Sequence, residues 1–492
     1  MIAPLPRARA GSVSSTHHNS LRVLLGVLVA IALGALALEL SFVTPDTITT
    51  EPEKNQDILH VLDAAAAAED SDKPPTGADA FYPDEVFDID WSQRIKESDI
   101  LHEAALHRGC VKHKMSVISW KFGEAGENET QNLMHVMNES DPQLLGKLRQ
   151  CPDVDIFLPE GLRSFGYCED AAAYTKSAKP LYLMPNMEMY ELESEHYWRA
   201  DVILCKTALC ARYLRKWFKQ EGNPRGTRVL YTRHTTSNLA LTYKSQLTAS
   251  ERQARPEKNF SDVTFLHTAG TSIQKGTRQV LDCWLTRPDF PRLELHMAQD
   301  LFDGAFKTRY ARRIDKSRNV ALHTGRLEPA EFGRLITDAA YFMCPSLQEG
   351  YGHYINQARS SRALIFTTDI PPMNELITPS SGALIRARAI AHEPQFLGGK
   401  SKKEHALRGV PGFVADFGGR SVCNAVTKLL QTTTPEERAE RADRALQQYY
   451  FDTVFFAQKM QELHDFARAH SHLGRLHGVL RRREDTPLPS EQ

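Results

Sequence analysis

From about residue 262 onward, short unbroken apolar runs alternate with stretches whose apolar residues recur every three or four positions. The runs Val263–His267, Leu293–His296, Val320–His323, Ala340–Met343 and Leu364–Thr367 have the length and composition of buried strands. Arg278–Leu285 and Ala330–Thr337 carry helical spacing between them. The same alternation occurs earlier, with strand-like Val117–Trp120, Val154–Leu158, Pro180–Met184, Val202–Cys205 and Val229–Tyr231, and helix-like Gln143–Gln150 and Ala208–Gln220. Strands alternating with helices predict parallel sheets, so the fold class is α/β. The interval 242–261 is polar, contains Pro256 and reads as a linker between two domains, 80–241 and 262–435. A chain of 492 residues is also long for one hydrophobic core. Beyond the second domain, Glu436–His470 reads as an amphipathic helix with Tyr449, Tyr450, Phe455 and Phe456 on its apolar face, and 471–492 as a solvated tail.

The N-terminus has another pattern. Val23–Leu38 is uninterrupted apolar sequence, preceded by Arg7, Arg9 and Arg22 and followed, after Glu39, by the mostly apolar Leu40–Val43. A membrane span needs about 20 such residues, and flanking arginines stay cytoplasmic. The expectation is a type II signal anchor at 23–43, a cytoplasmic tail at 1–22, and an extended stem at 44–79 built from Thr, Asp, Glu, Pro and Ala. A cleaved signal peptide is the rival, because Ala35-Leu36-Ala37 has a small-x-small pattern. Sequons at Asn128, Asn138 and Asn259 agree with luminal exposure. The eight cysteines include no C-x-x-C, and those in apolar runs, such as Cys205 and Cys344, read as buried free thiols.

Charge excludes one class of partner. Lys plus Arg number 60 against 61 Asp plus Glu, so no global basic field recruits nucleic acid. Function must reside in local sites, and parallel sheets place ligands beyond the carboxyl ends of their strands. In the first domain that rule nominates loops with Glu160, Asn186–Glu188, Lys206 and His234. In the second it nominates Gly270–Gly276 and the stretch from Cys344 to Leu376. There Pro345 breaks a strand, Gly350 and Gly352 let backbone amides approach a ligand, and a helix begins near His353. A helix start is an anion site, because unpaired amides and the macrodipole point the same way. Glu349 stands just outside that turn. A carboxylate beside an amide-lined phosphate pocket suits a ligand bearing both hydroxyls and phosphates.

Pro345, Ser346, Glu349, Gly350, Tyr351 and Gly352 resemble the E-x7-E signature of GT-B glycosyltransferases, especially the retaining glycosyltransferase family 4, with Gln357 at the position of the second Glu. Gly270–Gly276 resembles that family's G-R-x(4)-K-G loop, with Thr271 in place of the Arg and one residue fewer. The resemblance implies two doubly wound Rossmann-like domains facing a cleft. It implies that Glu349 contacts donor-sugar hydroxyls and that Lys275, helped by Gly270, Thr271 and Ser272, neutralises the leaving diphosphate. Gly350 and the amides of Gly352, His353 and Tyr354 would meet the phosphates, Gln357 the ribose, and Arg326 with Leu327 the base. Glu188 and His234 are candidates on the acceptor side. The donor would be a UDP- or GDP-sugar and the acceptor a glycan, lipid or protein. No cofactor is needed, and no metal: Asp88-Ile89-Asp90 and Asp153-Val154-Asp155 do not sit where a metal-binding D-x-D follows a strand. The expected setting is the Golgi or endoplasmic reticulum membrane. The alternative is a catalytically impaired luminal nucleotide-sugar-binding or scaffolding protein, motivated by Gln357 and Thr271.

Overall fold

The computed structural model describes residues 61–62, 81–93, 182–189, 192, 194–236, 238–390, 397 and 405–484. The first sheet holds β1 (Tyr182–Leu183), β2 (Val202–Cys205) and β3 (Arg228–Tyr231), parallel and paired in that order. Every residue of β2 is buried, as an unbroken apolar run requires of a central strand. α1 (Ser194–Arg199) precedes β2, and α2 (Ala208–Glu221) follows it. Thr207 caps α2 by accepting from the Cys210 amide.

α3 (Leu239–Gln246) and α4 (Ala249–Ala254) fall largely within the interval expected to be a linker. This correction has a local cause. Asn238 and Thr248 cap the two helices, and Glu251 completes a capping box with Thr248, so these polar residues start helices where their composition alone suggested a loop.

Six parallel strands form the second sheet: β4 (Thr264–Gly270), β5 (Arg292–Met297), β6 (Val320–Thr324), β7 (Tyr341–Cys344), β8 (Leu364–Thr368) and β9 (Gly382–Ile385). Their order is β6-β5-β4-β7-β8-β9. The chain therefore winds outward from β4 in one direction, returns, and winds outward from β7 in the other. Its helices are α5 (Thr277–Trp284), α6 (Lys307–Asp315), α7 (Pro329–Asp338), α8 (His353–Ser360) and α9 (Met373–Leu376). A short antiparallel pair, β10 (Arg388–Ile390) and β11 (Val414–Asp416), precedes α10 (Gly419–Thr432) and α11 (Pro435–Glu484). Alternate strand residues serve opposite faces. Phe265, Leu293, Leu295 and Met343 pack with Trp284, Tyr310 and Val426, whereas Leu266, Phe342 and Ile365 pack with Ile336, Ile355 and Ala445.

α11 continues past the expected end at His470 into the segment read as a tail, because Ser471–Glu484 contains no proline and neither Gly474 nor Gly478 stops the helix. Ala442 and Ala445 lie in the second sheet's core, and Phe456 and Leu463 lie with Tyr182, Val202 and Leu204 of the first. Cys283–Cys423 fastens α5 to α10. Cys205 is also bonded, to Cys210, and is not the free thiol expected: the first turn of α2 brings the two Cα atoms to 5.4 Å, within bridging range. Cys344 is buried and free.

Among the described residues no helix is long and apolar enough to cross a membrane. The expected tail and anchor, nearly all of the expected stem, Val117–Trp120, Gln143–Gln150, Val154–Leu158, Glu160 and the sequons at Asn128 and Asn138 lie outside the described residues.

Candidate active site

β4 and β7 lie side by side, yet the chain leaves them in opposite directions. In an open parallel sheet, the crevice beyond the carboxyl ends at such a point is where ligands bind. Two loops border it, 271–276 after β4 and 345–352 after β7. The Leu347 amide donates to the Gln274 carbonyl at 2.7 Å and stitches them together. Gly276 makes that approach possible. Its φ is 67°, and a Cβ there would stand 1.9 Å from the Pro345 carbonyl oxygen.

Lys275 and Glu349, one from each loop, meet at 2.6 Å between Nζ and Oε1. Their side chains are only 19% and 10% exposed. Ser346 donates to the same Glu349 oxygen. Its hydroxyl also lies 2.5 Å from the Tyr354 hydroxyl, and the Tyr354 ring lies under Lys275 with Nζ 4.0 Å from the centroid. This packing orients the ammonium without exhausting it, since it has three N–H donors and Glu349 takes one. Lys275 thus stands beside the first turn of α8. Gly352 precedes that helix with φ 107°, and among the described residues no side chain caps it. A positive side chain, a helix start and a carboxylate converge within one turn of backbone.

Beneath them sits His267, which the sequence reading did not single out. It is fully buried at 0% exposure, 2.6 Å from the Met343 carbonyl through Nδ1 and 2.8 Å from the Thr277 hydroxyl through Nε2. A carbonyl only accepts, so Nδ1 carries the proton and Nε2 accepts from Thr277. Burial chiefly, and the nearby charge of Lys275, push the imidazole down to about 4 despite the Met343 bond. His267 therefore joins β4, β7 and the start of α5 as a neutral peg.

The first half contributes Glu188, in the turn after β1. Its carboxylate lies against Gly350, where a Cβ would come within 2.3 Å of Oε2. His234 is placed differently from expectation. It is 1% exposed, with its ring 4.7 Å from Tyr351, 5.5 Å from His353 and 5.4 Å from Phe456, so it packs the loop after β3 onto α8 and does not line an open wall. Thr236 reinforces this contact, 3.1 Å from His353 Nδ1. Lys206 is buried and donates to Asn186.

The remaining predicted residues divide. Gly270 ends β4 with φ 55°, Thr271 is exposed, and Ser272 accepts from the Gln274 amide at 3.2 Å to cap the turn holding Lys275. Gln357 lies half-buried on α8, one turn beyond His353. Arg326 is exposed and Leu327 half-buried in the loop after β6, at the sheet edge and away from β4. Asp90 accepts from the Ser92 amide at 3.1 Å, so the first D-x-D makes a local turn. Glu375 reaches across to the other half and accepts from the amides of Ala208 and Leu209, at 2.8 Å each. Burial pushes its carboxyl upward, against the pull of Arg212 and those amides. A cavity of about 840 Å³ lies at the opposite end of β4, lined by Lys258, Thr264, Asp338 and Arg362, and holds none of the predicted donor residues.

No family profile and no curated protein matches the chain. Similar solved structures include a glycosyltransferase from Rickettsia africae ESF-5, 9% identical, covering 68% of this chain and 84% of that one with a TM-score of 0.45. HepE of Anabaena, solved with UDP, is 16% identical, covering 65% and 81% with a TM-score of 0.41. The α,α-trehalose 6-phosphate synthase of Burkholderia multivorans is 10% identical, covering 63% and 69% with a TM-score of 0.40. Overlaps this loose fix neither the fold family nor the activity of this chain.

Proposed function

We propose that this protein is a GT-B glycosyltransferase that moves a sugar from a nucleotide-diphosphate sugar to a glycan, lipid or protein acceptor. The observation that carries the reading is the meeting of Lys275 and Glu349 at the point where the second sheet reverses its winding, beside the start of α8. Lys275 and the α8 amides are charge partners for a departing diphosphate, whose negative charge grows as the glycosyl bond breaks. Glu349, held by Lys275 and Ser346, is an acceptor for sugar hydroxyls. Glu188 enters from the first half and is suited to hold the incoming hydroxyl or shield the cationic carbon. Transfer is retaining and independent of metal in this reading.

The setting we propose is the lumen of the secretory pathway, with residues 23–43 as the anchor. Support comes from the sequons, among which Asn259 is exposed, and from two disulfides, which persist in oxidising compartments. A second reading, nucleotide-sugar binding without turnover, is motivated by Gln357, since an amide grips ribose hydroxyls less strongly than a carboxylate does.

A panel of UDP- and GDP-sugars separates the two. Donor turnover is expected, with Glu349→Ala and Lys275→Ala each lowering it by about 10²–10³-fold while circular dichroism is unchanged. Nucleotide binding with no turnover of any donor establishes the second reading. Undiminished transfer in both variants removes the pair from the site.

A further inference from the structure

We propose that Glu294, His296 and His323 form a binding site for a divalent transition-metal cation of the zinc type at the open edge of the second sheet. The inference does not depend on the transfer reading. Glu294 and His296 are two residues apart on β5 and share a face, and strand register sets His323 of β6 directly beside His296. One ligand atom from each of the three residues lies within 4.8 Å of the others. The imidazole rings stack with centroids 4.3 Å apart and planes 14° from parallel, so their edges run alongside each other. Glu294 Oε2 is 2.6 Å from His323 Nε2.

A tetrahedral zinc site with bonds of about 2.0–2.1 Å holds its ligand atoms about 3.3 Å apart. The 2.6 Å between Glu294 Oε2 and His323 Nε2 and the 4.8 Å that contains all three ligand atoms lie on either side of that spacing. A cation would take the place of the hydrogen between Glu294 and His323: the neutral His323 ring shifts to its Nδ1–H tautomer and keeps its proton, which frees Nε2 to bind the metal beside the Glu294 carboxylate and His296. Arg292 holds the other carboxylate oxygen through Nε and fixes which oxygen faces the histidines. Nitrogen donors favour zinc, nickel or cobalt over calcium or magnesium. β6 is an edge strand and the His323 side chain is 47% exposed, so the cation has a route in and water can complete its coordination. Thr324 ends β6, and Gly325 leads from it to Arg326 and Leu327. A cation here would brace the strand that carries that loop, far from the Lys275 and Glu349 pair in role.

The full chain in detergent, stripped with chelator, is titrated with ZnCl2 by calorimetry and with Co2+ by visible absorption. The expected result is stoichiometric binding, a four- or five-coordinate Co2+ band, and a zinc-dependent rise in melting temperature. His323→Ala, on the edge strand, and Glu294→Gln, a near-isosteric change on β5, are expected to weaken zinc at least tenfold and to lose the band and the thermal shift. Failure of the unaltered chain to bind zinc overturns the proposal without any variant. So does equal binding by His323→Ala, which would assign the metal to other histidines.

Discussion

His267 is a residue whose protonation the fold controls. Its imidazole titrates near 6.5 when unfolded and is pushed down to about 4 in the fold, so the native state binds fewer protons between those values. Stability from its neutral form is complete above about pH 6.5 and is lost as pH falls toward 4, a span of about 3 kcal/mol. His267→Gln, which keeps a donor and an acceptor, is expected to flatten that dependence. Urea midpoints at pH 7 and pH 4.5 for both proteins check it, and an unchanged slope in the variant would remove His267 as the source. Sequence offers only a polar residue ending an apolar run. Its main partner, Met343, is 76 positions away, and nothing local announces the pairing.

Elements were more legible than their contacts. β2, β5, β6, β7 and β8 fall within one residue or so of the runs that predict them; β2, β7 and β8 are buried throughout and need unbroken apolar sequence, whereas β5 alternates and β6 is exposed at its end. α3 and α4 were hidden, since their caps are the same Asn and Thr residues that mark loops. Gly276 and Gly350 show how two similar glycines in adjoining loops do different work. Gly276→Ala drives a Cβ into the Pro345 backbone at a left-handed φ, and is expected to cost about 1–3 kcal/mol or more and to part the two loops. Gly350→Ala meets only the end of the Glu188 side chain, which can swing aside. Its melting temperature should stay near that of the parent while transfer falls. Thermal melts paired with donor turnover distinguish the two, and a Gly350→Ala protein with full activity would detach Glu188 from catalysis.

At the scale of the molecule, α11 ties the halves together through one buried aspartate. Asp452 accepts from Arg233 at 2.7 Å, from Arg359 at 2.8 Å and from the Tyr82 hydroxyl at 2.8 Å. Two guanidinium groups share this carboxylate in a place water scarcely reaches. Asp452→Asn leaves both undercompensated and is expected to cost about 3–5 kcal/mol, measurable as a shift in denaturant midpoint. A loss under 1 kcal/mol, on the order of an exposed pair, would show that water enters the network. None of this was legible, because the partners stand 219, 93 and 370 positions from Asp452, and the two arginines alone read as surface charges.

Glu375 carries a mechanical implication. A carboxylate that caps the start of a helix in the opposite half behaves as a pin, because withdrawing it strands two amides and an acid in a dry place. Any parting of the two halves has to break that pin as well as the Asp452 cluster, so the pair of them resists opening from two places at once.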